Sequence, residues 1–126
     1  MKKKKKGLQK SLMASWTTYN IGRTTFSNFI WVNNGIYFYN PGVMSVELMN
    51  RVDAFAIEVY ELGGVYAGKA VWRNRAGWVA LDWRDTTLVT HPGGYGFRFV
   101  NEGNTSVVNI LHGALEYGYR NVIIRE

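Results

Sequence analysis

Three runs within Val65–Val100 place apolar side chains at every second position (Ala70 and Trp72; Val79, Leu81 and Trp83; Tyr95, Phe97 and Phe99), a period that admits strands and argues against a helical bundle. Tyr95, Phe97 and Phe99 alternate with Gly96, Arg98 and Val100, which describes a strand with one aromatic face. Ala70, Trp72, Val79, Leu81 and Trp83 share one parity, and Lys69, Val71, Arg73, Trp78, Ala80 and Asp82 share the other. With Asn74-Arg75-Ala76-Gly77 between them, residues 65–73 and 78–84 are predicted as a hairpin whose Trp72 and Trp83 face the core. Gly63-Gly64 is a natural turn into its first strand, Thr86–Thr90 a further short strand, and His91-Pro92-Gly93-Gly94 a turn.

An earlier hairpin is predicted over Thr25–Asn40. Asn34-Gly35 tolerates the positive φ of a type I′ turn, which sets Val32 opposite Tyr37 and Trp31 opposite Phe38. Phe29, Trp31 and Phe38 then share one face, and Ile30, Val32, Tyr37 and Tyr39 the other. With both faces apolar or aromatic, the hairpin is covered on both sides or presents its tyrosines, so Tyr37 and Tyr39 are candidate interface residues.

Residues 43–61 carry two periods. Val46, Met49, Val52, Ala56, Val59 and Tyr60 fit a helical stripe, whereas Phe55, Ile57 and Val59 alternate. The β-branched and aromatic content favours a strand over 53–61. Near the end, Asn104 or Thr105 is placed to cap a helix from Ser106 to about Tyr117, with Val107, Ile110, Leu111, Ala114 and Leu115 as its buried stripe and Gly118 as its stop. Val122-Ile123-Ile124 suits a last short strand. The fold class expected is mainly β (a β-rich α+β protein): an antiparallel sheet of about six to eight short strands with one C-terminal helix packed on it. Its core is expected to draw on Trp72, Leu81, Trp83, Phe97, Phe99, Ile110 and Leu111.

Charge divides the chain. Lys2, Lys3, Lys4, Lys5, Lys6 and Lys10 are six of the 15 basic residues, and the nine that remain balance the nine acids, all of which lie beyond residue 10. A neutral body thus carries a basic arm: residues 1–11 are expected to be a disordered basic arm and 12–126 a single β-rich globular domain. Such an arm binds nucleic acid by counterion release. Gly7-Leu8-Gln9-Lys10-Ser11 is too polar and too short for the apolar part of a signal peptide, so no secretion is signalled. No apolar run is long enough for a spanning helix. A cytoplasmic or virion location is expected.

Site chemistry is sparse. The chain has no cysteine, which removes thiolate metal sites, disulfides and cysteine nucleophiles. No nucleophile elbow, Walker loop or dinucleotide fingerprint occurs. His112 and Glu116 would share a face of the predicted helix, but two ligands do not make a metal site. No catalytic residues, metal or cofactor are therefore expected, and the protein is not expected to be an enzyme. The outward face of the second hairpin brings Lys69, Arg73 and Trp78 together with Arg75 at its turn. Cations hold phosphates and a ring stacks on an unpaired base, so these four residues and the lysine arm are the candidate nucleic-acid-binding set, with single strands preferred. An Arg73–Asp82 ion pair would make the same face ordinary solvated surface.

Two alternatives accompany this reading. A neutral β body with a basic arm resembles small viral coat proteins in general plan, which implies a homo-oligomer assembled around nucleic acid. A small phage-encoded inhibitor binding a host protein through an aromatic surface is the other.

Overall fold

The structure, a computed structural model, describes residues 10–125, with side chains described over 15–120. Its strands are β1 (Lys10–Ile21), β2 (Thr24–Phe26), β3 (Phe29–Trp31), β4 (Phe38–Tyr39), β5 (Val43–Glu61), β6 (Val65–Asp82), β7 (Gly94–Asn101) and β8 (Val108–Arg125). All eight join one antiparallel sheet curled into a half-barrel.

β5 is the spine. β6 runs along one of its edges, and the other edge is shared, with Met44–Leu48 paired to β8 and Phe55–Glu61 paired to β7. β8 carries β1 and β2 on its far side, and β7 carries β3 and β4. Two long edges, those of β1 and β6, have no strand partner among the described residues.

Bulges explain both the curl and the misleading sequence periods. On β5, residues 49–51 stand against Ala76 alone, because Leu48 faces Gly77 and Val52 faces Arg75. Such an insertion breaks the ladder locally and adds twist. Across it the inward set passes from Met44, Val46 and Leu48 to Phe55, Ile57 and Val59, with Val52 and Ala54 buried between them. Two period-two stripes out of phase imitate a helical stripe, and Met49, which the helical reading buries, is exposed. The strand expected over 53–61 is the second half of a strand that begins at Val43.

The predicted C-terminal helix is corrected for the same reason. Residues 108–125 form β8, with a register shift where Glu47 faces His112 but Leu48 faces Ile110. Val108 and Ile110 are buried before it and Leu115 after it, two strand parities out of phase whose i, i+2, i+7 spacing blurs into a helical stripe. Leu111, expected in the core, is only half-buried because Ile110 takes the inward place.

The two hairpins are corrected as well. Asn74–Gly77 is no turn: β6 continues through it, with Asn74 at φ 54° and Gly77 at φ 79°, and Arg51 Nη1 donates to the Asn74 carbonyl at 2.9 Å across the kink. The hairpin turn lies at Gly63 and Gly64, both at positive φ. The parities assigned to the two halves of β6 nevertheless hold, with Val79 and Trp83 buried, Trp72 and Leu81 lining the core, and Arg73 and Trp78 outside. Over 25–40, Asn33, Asn34 and Gly35 all take positive φ, yet the flanking strands do not pair with each other. β3 and β4 both pair with β7, Trp31 facing Arg98 and Phe38 facing Tyr95, so residues 32–37 loop out against Gly96 and Phe97. Tyr37 closes the loop: its ring packs where a Gly96 side chain would be, and its hydroxyl donates to the Glu61 carbonyl and accepts from the Gly64 N–H. Residues 86–89 form bends and Thr90 is irregular, in place of the expected strand.

The concave side holds Phe55, Tyr95, Phe97, Phe99, Met44, Ile110 and Leu115 around Trp83, which is fully buried in a 3₁₀ turn just past β6. Each such apolar side chain contributes roughly 1.5–3 kcal/mol over its exposed state. Asn40 ties the loops at one end. In left-handed conformation (φ 47°), it bonds Gly93 through its backbone N–H (2.8 Å) and its side-chain oxygen (2.9 Å), while its carbonyl accepts from the Tyr119 N–H (3.4 Å). No helix among the described residues is long and apolar enough to cross a membrane.

Candidate functional site

Directly opposed residues of neighbouring strands share a sheet face. The register therefore builds rows across β3, β7, β5 and β6: Trp31–Arg98–Glu58–Lys69, beside Phe29–Val100–Ala56–Val71. Tyr60 and Tyr66, paired across β5 and β6, extend the same convex face.

The rings touch. Trp31 and Tyr60 lie 4.9 Å apart between centroids, and Tyr60 and Tyr66 5.4 Å. The Arg98 guanidinium carbon sits 4.2 Å from the Phe29 ring centre, 5.4 Å from Trp31 and 5.8 Å from Tyr60, within cation–π range. Glu58, the one buried charged residue among those described, fixes this cation: Arg98 Nε donates to Oε1 at 2.8 Å and Nη2 lies 2.7 Å from it. The Tyr60 hydroxyl donates to the same oxygen at 2.7 Å. Burial, then this bond to a carboxylate, push the Tyr60 phenol up to about 12. Lys69 pairs with Glu102 at 2.8 Å, so the face holds two cations, each with a carboxylate, under an aromatic layer. Phe29 is 48% and Tyr66 50% exposed, which leaves ring surface open to a flat ligand.

Of the residues expected to bind, Lys69 alone joins this platform. Arg73 faces Ala54, Arg75 faces Val52 and Trp78 faces Glu47, all along the single strand β6. Lys69 and Trp78 are nine residues apart on it, roughly 30 Å at a strand's rise, and do not form the compact cluster that a hairpin would have made. Trp78, 53% exposed, stacks on His112 at 5.2 Å, and His112 Nε2 lies 3.0 Å from Glu47 Oε1. His112 therefore meets Glu47 across strands, and Glu116 faces Thr18 instead. Asp82 pairs with Arg84, not Arg73. Lys69, Arg73 and Arg75 have a second physical use, since cations along an unpaired edge strand repel another such edge.

Tyr39 is exposed, whereas Tyr37 spends its hydroxyl on the turn described above. Lys2, Lys3, Lys4, Lys5 and Lys6 lie outside the described residues. For Lys10 only the backbone is described, opposite Arg125 at the start of β1. Phe29, Trp31, Tyr60, Tyr66 and Arg98 were missed as a site. Their parities are readable, for Arg98 alternates with Phe97 and Phe99, but which strands lie side by side is not a local property of the sequence. Among the described residues no three His, Asp or Glu side chains gather as a metal-binding group.

No protein-family model matches the chain, and neither does any curated protein.

Proposed function

We propose that this protein is a non-enzymatic, single-strand-preferring nucleic-acid-binding domain whose stacking surface is the convex face of β3, β7, β5 and β6. The observation that carries the reading is the contiguous platform of Phe29, Trp31, Tyr60 and Tyr66 around Arg98. Base–aromatic stacking is worth about 1–3 kcal/mol per base and tolerates any sequence. The platform's own charges are paired, so phosphate attraction falls to Lys2–Lys6 and to Arg73 and Arg75 farther along β6. A division of labour follows: rings supply salt-insensitive affinity and the arm supplies the salt-dependent part.

The test is binding of a fluorescent oligothymidine over a series of salt concentrations. Phe29→Ala with Tyr66→Ala should weaken binding at every salt concentration without changing the slope, whereas Lys2–Lys6→Gln should flatten the slope. Unchanged affinity in the ring variant overturns the platform reading.

A self-assembling, coat-like subunit is the second reading. The unpaired edge of β1 favours it, since a free edge is where another strand can add. Size-exclusion chromatography with a 260/280 nm absorbance ratio separates a nucleoprotein assembly from a monomer carrying a bound strand.

A further inference from the structure

A cleft of about 400 Å³ opens at the Asn40 end of the sheet, away from the platform residues. Its walls come from residues 40–41, from Arg84, from 89–92 and from the stretch of β8 at Tyr119 and Arg120. A smaller hollow beside it shares Asn40, Tyr119 and Arg120 and adds Tyr39. The volume lies within the range of small-molecule sites.

Arg84 and Arg120 line the cleft with guanidinium N–H donors, and no carboxylate is among the lining residues. Arg84 is held rigidly. Its Nε donates to Asp82 Oδ1 at 2.9 Å and its Nη2 reaches Oδ2. Its guanidinium carbon stands 4.8 Å from the Trp16 ring centre and 4.6 Å from that of Tyr119. Trp16 comes so close because Gly42 has no side chain: a Cβ there would lie inside the indole, at 2.2 Å. The Asp82 bonds use two of Arg84's five N–H donors and leave the rest of its planar fork for the cleft it lines. Arg120 is exposed and has no ion pair or hydrogen bond among the described residues. Asn40 bonds both Gly93 and Tyr119, which ties the wall segments around residues 40–41, 92–93 and 119 to one another. Val89, Pro41, Pro92 and the Tyr119 ring supply apolar surface.

We infer that this cleft binds a phosphomonoester: a phosphate dianion across Arg84 and Arg120, carried on a compact planar or apolar body lying against Tyr119. Paired arginine forks match phosphate oxygens in geometry and charge, whereas a single carboxylate satisfies only one of them. The inference stands apart from the stacking platform, with which it shares no residue. The same chemical group occurs on free metabolites and on the 5′ end of a nucleic-acid strand.

The test titrates the full chain with phenyl phosphate, benzoate, and a trinucleotide with and without a 5′-phosphate. Calorimetry is paired with tryptophan fluorescence, since Trp16 stands beside the site. Phenyl phosphate should bind at least tenfold more tightly than benzoate, and Arg120→Gln should cost at least tenfold for phenyl phosphate while leaving the melting temperature unchanged. Preference for the 5′-phosphorylated trinucleotide over phenyl phosphate assigns the group to a strand end, and the reverse assigns it to a free small molecule. Equal binding of benzoate, or wild-type affinity in Arg120→Gln, overturns the inference. Oligothymidine binding that survives Arg120→Gln separates this outcome from the fate of the stacking platform.

Discussion

Replacing Glu58 with glutamine probes the joint on which the convex face is built. The carboxylate takes three contacts on one side of the sheet, two from Arg98 and one from the Tyr60 hydroxyl, all between 2.7 and 2.8 Å. Glutamine keeps a single carbonyl oxygen and places an amide N–H₂ where a second acceptor stood. Arg98 then remains a cation with 24% of its side chain exposed and no counter-charge. Removing one partner of a fully buried ion pair costs about 3–5 kcal/mol. Partial solvent access and the three facing rings offset some of that, since each cation–π contact is worth about 0.5–2 kcal/mol. The net expectation is a loss of roughly 2 kcal/mol, a downward shift of about 1 M in the urea midpoint at unchanged slope. Urea unfolding of wild type, Glu58→Gln, Arg98→Met and the double variant closes a cycle with an expected coupling of about 1–2 kcal/mol. If Glu58→Gln costs under about 0.5 kcal/mol and the two changes add, the Glu58–Arg98 joint is ordinary surface pairing of the kind worth almost nothing.

Two further expectations concern the core and the same joint. Trp83→Ala should destabilise by about 3–5 kcal/mol in urea unfolding. Trp83→Phe should cost far less than the lost ring area suggests, because the buried indole N–H has no hydrogen-bond partner and its removal recovers part of a desolvation penalty of about 1–3 kcal/mol. In alkaline titration followed at 295 nm, Tyr60 should ionise near pH 12, and the wild type minus Tyr60→Phe difference isolates it. Since its folded value lies above the ordinary 10.0, its contribution to stability is complete below pH 10 and is lost as pH rises from 10 towards 12.

Much of the sheet was readable along each strand and little of it across strands. Phe97 and Phe99 against Arg98, and Trp72 against Arg73, report their faces because a strand's period is local and fixed. The false helix over 106–117 shows the limit of that reading. A bulge near His112 offsets Val108 and Ile110 from Leu115, and the offset mimics a turn of helix. The Asn74–Gly77 segment failed differently. Its residues favour positive φ, which a turn and a bulge both need, and only the matching length of β5 decides between them. The platform was out of reach for a related reason. Phe29 and Tyr66 are 37 positions apart, and their neighbourhood exists only because β7 and β6 flank β5 on opposite edges. The cation cluster predicted on β6 presupposed a reversal of chain that does not occur.

The looped-out segment between β3 and β4 sets how the chain can change length. In an ordinary hairpin an added residue slips one strand past its mate and turns every later side chain to the wrong side. Here Trp31 and Phe38 are each placed by β7, not by one another. Extra residues between Asn33 and Gly35 would lengthen the protrusion while the strands on either side kept their seats. The tether from Tyr37 to the Glu61–Gly64 turn would hold the far foot of the loop in place. Length variation among relatives of this chain should therefore gather at Asn33–Gly35, and a short foreign peptide spliced there should be displayed without loss of melting temperature.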